Sequence, residues 1–177
     1  APGGKSTQIA ALLEKSGVLV SNEIVPSRAK ILSQNIERLG VIRAAVTNES
    51  PDALARKWPG WFDRVLVDAP CSGEGMFRKD ENAAAVWSEA HVRACAKRQG
   101  LILASAAACV REGGALVYST CTFSYEENEE VVEAFAASHP EFIIEDMRRL
   151  YPHRFPGEGH FAARLRRSEE HTSELQS

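Results

Sequence analysis

Hydrophobic and polar positions along this chain switch repeatedly between two periods. Over residues 6–15, Ile9, Leu12 and Leu13 fall on one face of a helix, and VLVSNEI at 18–24 reads as a buried strand ending on an acid. Pro26 suits the first turn of the next helix, where its missing N–H costs nothing, and Ala29, Leu32, Ile36 and Leu39 form that helix's apolar stripe. A short strand over 41–47, a short helix over Pro51–Lys57 and a buried strand RVLVD over 64–68 follow. After the loop DAPCSGEGMFRKD, an Ala-rich pattern predicts a long helix over about 88–110. Gly113 and Gly114 then turn the chain into strand ALVYS at 115–119, and STCTFSYEEN is a loop before a helix over about 126–138. Residues 142–144 and 160–165 supply final strands. Strand and helix alternating in this way predict an α/β fold, a parallel sheet with helices on both faces. With no repeat, low-complexity tract or interdomain linker, one domain is expected.

Composition fits that picture. The 177 residues are 44% hydrophobic and 25% charged, enough for a real core, and no window has the apolar length of a membrane span. Cys71, Cys95, Cys109 and Cys121 show neither C-x-x-C spacing nor the density of a disulfide framework. A reduced, cytoplasmic setting is expected, with no zinc or other metal. The last stretch, RSEEHTSELQS at 167–177, reads as the in-frame translation of a sequencing-library adapter and is set apart from 1–166. It carries one Arg and three Glu, so the net charge of −3 becomes −1 without it. No global basic signature remains, and nucleic-acid binding would need a local patch.

Ligands of a parallel α/β sheet sit beyond the C-terminal ends of its strands. The opening run APGGKST therefore has two readings. GKS fits the end of a phosphate-binding loop, with VLVD supplying a magnesium-binding Asp68. Against that, Glu23 stands at a strand end about twenty residues on, where nucleoside-binding folds place an acid for ribose hydroxyls. Asn48 follows the next strand, where an adenine contact belongs. Cys95 and Cys109 lie in the Ala-rich helix and read as small buried hydrophobes. Cys71 in DAPCSG and Cys121 in STCT instead fall in ligand-side loops of neighbouring strands, which suggests nucleophilic chemistry.

Together APGGKS, NEI followed by Arg28, VLVDAPCSGEGMFRKD, GGALVYSTCTF with EEN, and GEGHF at 157–161 resemble the RNA cytosine-C5 methyltransferases of the Nop/Sun family, in its bacterial RsmF-like branch. The resemblance implies a Rossmann-like class I S-adenosylmethionine-dependent methyltransferase sheet, here lacking its first strand, which would end in an acid just before APGGKS. It implies S-adenosylmethionine held by Ala1, Pro2, Gly3, Gly4, Lys5, Glu23, Arg28, Asn48 and Asp68, and RNA, in particular 16S ribosomal RNA of the small subunit, as partner. Ser124–Tyr125 stands where Ala-Pro is expected. With a central strand absent, the 177-residue polypeptide by itself is expected to be unstable or inactive.

Cytosine C5 is a poor nucleophile until a thiolate adds at C6, and the electron density that then reaches N3 calls for a hydrogen-bonding or protonating group, for which Asp68 is the candidate. Chemistry alone leaves Cys71 and Cys121 open as the attacking thiol. The resemblance favours Cys121, with Cys71 assisting breakdown of the adduct. Arg78 and Lys79 are candidate RNA phosphate contacts, and Phe77 is a candidate to hold the target base. The rival readings are an amino-group methyltransferase that needs no cysteine, a phosphate-loop NTPase, and a non-catalytic RNA-binding fragment.

Overall fold

The computed structural model describes residues 3–13, 17–76 and 87–169. In chain order its elements are α1 (Gly4–Leu12), β1 (Leu19–Asn22), α2 (Pro26–Arg38), β2 (Ala44–Thr47), α3 (Pro51–Lys57), β3 (Phe62–Asp68), a 3₁₀ turn (Glu74–Met76), α4 (Glu89–Ala108), β4 (Val110–Thr120), α5 (Glu129–Ser138), β5 (Phe142–Leu150) and β6 (His160–Arg167). They fall into two compact units divided within α3, between Ala53 and Leu54. No described helix is long and apolar enough to cross a membrane.

In the first unit β1 and β2 pair in parallel, Leu19 opposite Ala44 and Asn22 opposite Thr47. Helix α2 starts at an extended Val25 with Pro26 in its first turn and buries Ala29, Leu32 and Ile36, the predicted stripe. Leu39 departs from it: it is the C-cap, where the helical period ends, and is 56% exposed. Helix α1 buries none of its residues, and Leu12 at its end is 80% exposed, so the predicted apolar face there is not a core face.

The second unit is a four-stranded sheet in the order β3-β4-β6-β5. Strands β3 and β4 are parallel, but β6 runs antiparallel to both β4 and β5, which corrects the expectation of an all-parallel sheet. Only a crossover returns a chain parallel to itself, and residues 151–159 hold no helix to make one. The expected turn at Gly113 and Gly114 is instead a break in register inside β4, between the pairs Phe62–Val110 and Arg64–Ala115. Val110 accordingly belongs to β4 and not to the preceding helix. Strand β6 continues through Arg167 opposite Phe142, and the Ser168 N–H donates to the Glu141 carbonyl at 2.7 Å. The first residues of the segment set apart as a tail therefore close the sheet, since backbone pairing makes no demand on side-chain identity.

Helix α4 begins where the extended Ser88 accepts from the His91 N–H at 3.1 Å. It buries Val92, Cys95, Gln99, Leu103 and Ala107, a stripe at helical spacing with one polar member. Leu103, Val110, Leu116, Tyr118, Phe161 and Leu165 are fully excluded from water at the centre of the core. At about 1.5–3 kcal/mol for each large apolar side chain, this burial is the main force holding the sheet's strand ends in fixed relation.

Candidate active site

Parallel pairing sets Asp68 on β3 opposite Ser119 on β4, and the Ala69 N–H donates to the Ser119 carbonyl at 2.9 Å. Both chains therefore leave the sheet at one edge, and the loops that follow bring Cys71 and Cys121 together, Sγ to Sγ 3.1 Å. The Cys121 N–H also points at the Cys71 sulfur, at 3.4 Å. The hydrogen bond with Cys121, reinforced by burial, holds the Cys71 thiol far above the ordinary value of 9.0. Asp68, at the exposed end of β3, accepts from the Ser119 hydroxyl at 3.3 Å.

The loops carrying the two thiols are bound to each other beyond the sheet. Glu127, fully buried, accepts the Ser72 N–H at 2.9 Å, the Ser72 hydroxyl and the Gln99 side-chain amide at 2.8 Å. The same Gln99 amide donates to the Pro70 carbonyl at 2.9 Å. With its proton committed to Glu127, the Ser72 hydroxyl accepts that of Thr122 at 3.0 Å. Asn128 accepts from the Thr120 hydroxyl and donates to the Thr122 carbonyl at 3.0 Å. Tyr118, whose phenol is pushed up chiefly by burial, donates to the Glu127 carbonyl at 2.7 Å.

Two glycines allow a third loop to close on these. The Gly75 N–H donates to the Cys121 carbonyl at 2.8 Å, and a Cβ on Gly75 would lie 2.7 Å from that oxygen and 2.6 Å from the Gly159 carbonyl. A Cβ on Gly159 would stand 2.0 Å from the tip of the Phe123 ring, which stacks on Tyr151 at a centroid distance of 5.7 Å. This close approach is the physical demand behind GEGMF and GEGHF. Arg149, paired with Glu129, donates to the Phe123 carbonyl at 2.7 Å.

In the first unit Gly3 caps α1 at φ +107, and Lys5 lies in that helix's first turn. At the end of β1, Glu23 accepts the Val25 N–H at 3.0 Å through one oxygen and the Arg28 guanidinium at 3.1 Å through the other. The Asn48 amide donates to the Glu23 carbonyl at 2.6 Å. Glu23, Arg28 and Asn48 are thus tied together at the C-terminal ends of β1 and β2. A carboxylate oriented in this way keeps lone pairs for two further donors, which fits the vicinal hydroxyls of a ribose. Ala1, Pro2, Phe77, Arg78 and Lys79 lie outside the described residues.

A family model for 16S rRNA methyltransferase RsmB/F matches residues 1–166. The chain belongs to this family. It is 42% identical over 184 aligned residues to ribosomal RNA small subunit methyltransferase F of Vibrio parahaemolyticus, a match covering 94% of this chain and 38% of that protein. To the protein of the same name from Erwinia tasmaniensis it is 39% identical, again over 94% of this chain and 38% of the relative. Among solved structures it is similar to NSun6 from Pyrococcus horikoshii with SFG, at TM-score 0.83 and 32% identity, over 96% of this chain and 46% of that one. The chain thus spans less than half the length of each of these proteins.

Membership in the RsmB/F family sets aside the phosphate-loop reading of GGKS. Sequence reasoning singles out EEN, GEGHF and the Ser72 of DAPCSG without giving those residues work, and it misses Gln99 and Arg149 altogether. One signal for Gln99 was present: it is the polar residue at a core position of the α4 stripe. The partners of Glu127 lie 55 and 28 residues away and left no local mark.

Proposed function

We propose that residues 1–166 are the catalytic domain of a cytoplasmic enzyme that transfers a methyl group from S-adenosylmethionine to C5 of a cytosine in RNA, with 16S ribosomal RNA as substrate, through a covalent bond from Cys121 to C6. The observation that carries this reading is the 3.1 Å contact of two thiols at the ends of neighbouring strands. Family membership and the names of the Vibrio and Erwinia relatives support the substrate, and the solved NSun6 with SFG, an analogue of the methyl donor, supports the cofactor.

Gly3, Gly4, Lys5, Glu23, Arg28 and Asn48, with Ala1 and Pro2, would hold S-adenosylmethionine, with Glu23 on the ribose hydroxyls. Bound there, the cofactor supplies an electrophilic methyl on a sulfonium. Cys121 acts on the base: its thiolate adds to C6, the C5=C6 π electrons move toward C5, and that carbon becomes nucleophilic. Asp68, entering the step as the neutral acid, donates its O–H to the N3 edge as addition delivers charge there. After methylation, water takes the C5 proton, the C5–H electron pair restores the C5=C6 bond, and the C6–S bond breaks with its pair returning to the Cys121 sulfur. Cys71, in contact with that sulfur, offers its S–H to the departing thiolate. Arg78 and Lys79 would neutralise phosphates beside a cytosine turned out of its stack.

The test uses the complete reading frame that contains this chain, with 16S rRNA and labelled S-adenosylmethionine, scoring 5-methylcytosine and covalent protein–RNA complex. Wild type forms both, and Cys121→Ala forms neither. A covalent complex made by Cys121→Ala would reverse the roles of the two thiols, and methylation by that variant would favour amino-group transfer.

A further inference from the structure

We propose that Glu127 is a positioning residue: its buried carboxyl clamps the two cysteine loops to each other and thereby sets the distance at which the Cys71 thiol meets the Cys121 sulfur. The inference rests on the reading of the thiol pair given above. Ladder pairing between β3 and β4 ends at Asp68 and Ser119, one backbone bond further on at Ala69. Beyond that point the Gly75 N–H donates to the Cys121 carbonyl and Glu74 accepts the Phe123 N–H, and the residues one past each cysteine add a third junction. Ser72 follows Cys71, Thr122 follows Cys121, and their hydroxyls meet at 3.0 Å. Glu127 fixes this junction by taking both the N–H and the hydroxyl of Ser72, and through Gln99 it reaches the Pro70 carbonyl on the other side of Cys71. Asn128, the next residue, holds Thr120 and Thr122 on either side of Cys121. Each thiol is thus bracketed by bonds to its two chain neighbours, and all four brackets converge on two consecutive residues, Glu127 and Asn128.

Placing a carboxyl and a carboxamide among apolar neighbours is costly, and an aliphatic pair would fill the volume without that cost. Three donors converge on the Glu127 carboxylate, the pattern of a group that organises its surroundings. Glu127 touches neither sulfur, so its effect on the reaction passes through Ser72 and Thr122. Glutamine can replace it in part: its carbonyl can take the Ser72 N–H and the Gln99 amide, while its own amide donates to the Ser72 hydroxyl, which then donates to Thr122. Alanine cannot, and it leaves two buried donors unmatched.

The probe is phenylarsine oxide, a trivalent arsenical that condenses with two neighbouring thiols, forming two As–S bonds and releasing one water. It needs neither RNA nor cofactor. On the complete reading frame, Glu127→Ala should lower the rate at which the arsenical bridges Cys71 and Cys121 by about tenfold or more, read by mass spectrometry, while Glu127→Gln stays within about threefold of wild type. With RNA and cofactor, Glu127→Ala should lower kcat at nearly constant KM for RNA and accumulate covalent complex, and Glu127→Gln should recover most of that loss. If Glu127→Ala does not melt cooperatively, Ser72→Ala, which removes only the hydroxyl, should slow bridging by about threefold. Unchanged bridging in Glu127→Ala, or in Ser72→Ala where that variant stands in, would overturn the proposal. Intact bridging effects with no methylation by wild type would sink the proposed reaction and leave the clamp standing.

Discussion

The four cysteines share one compact unit and yet divide into two pairs with opposite surroundings. Cys95 lies on α4 and Cys109 at its C-cap, 6% and 5% exposed, and their polar contacts are one helical turn away, to His91 and to the Ser105 carbonyl. Desolvation is the leading cause that pushes both thiols up. Cys71 and Cys121 are half-buried, lie in loops, and find each other across 50 residues of chain. The lesson is positional. On a regular element a thiol is a small apolar filler, and where two neighbouring strands run out it acquires a partner and a solvent-facing side.

The sharpest way to break the contrast is Cys121→Ala, which should reduce methylation and covalent complex by at least about a thousandfold, to background. Cys71→Ala comes next. It should cut turnover by about a hundredfold, the scale of a lost proton donor, while covalent RNA complex builds up on Cys121. A smaller effect concerns pH. The folded Cys71 thiol titrates above its ordinary value, so alkylation by iodoacetamide should lag behind an unperturbed thiol as pH rises through 9.0, and Cys121→Ala should shorten the lag to the part that burial causes. By the same sign, the contribution of this thiol to stability is complete below 9.0 and declines as alkali drives the proton off. Alkylation of Cys71 at neutral pH as fast as a small-molecule thiol would contradict this. The smallest effect belongs to the filler pair: Cys95→Ala should cost about 1 kcal/mol in denaturant melts and leave methylation per folded molecule within about twofold.

Much of the architecture was legible in the chain because its causes are local. Pro51–Lys57 was read as a helix and is one, Pro26 opens α2, and the ends of β3 and β4 at Asp68 and Ser119–Thr120 could be placed from apolar runs that stop at polar residues. Glu23 was legible as a strand-end acid for the same reason, since its partners Val25 and Arg28 are two and five residues on. What escaped notice depends on distant chain. The reversed direction of β6 is set by a connection without a helix, and the break at Gly113 and Gly114 follows from the register with β3. Motifs flagged Glu127, Asn128 and Gly159 as a pattern, but their work lies in contacts with loops that only the folded sheet assembles.

Strand β6 sits between β4 and β5, and in the described sheet it is the neighbour through which β5 is attached. During synthesis, β5 therefore emerges from the ribosome with no ladder to join and must wait for the strand made after it. A stop codon near residue 160 would cost the sheet two strands instead of one.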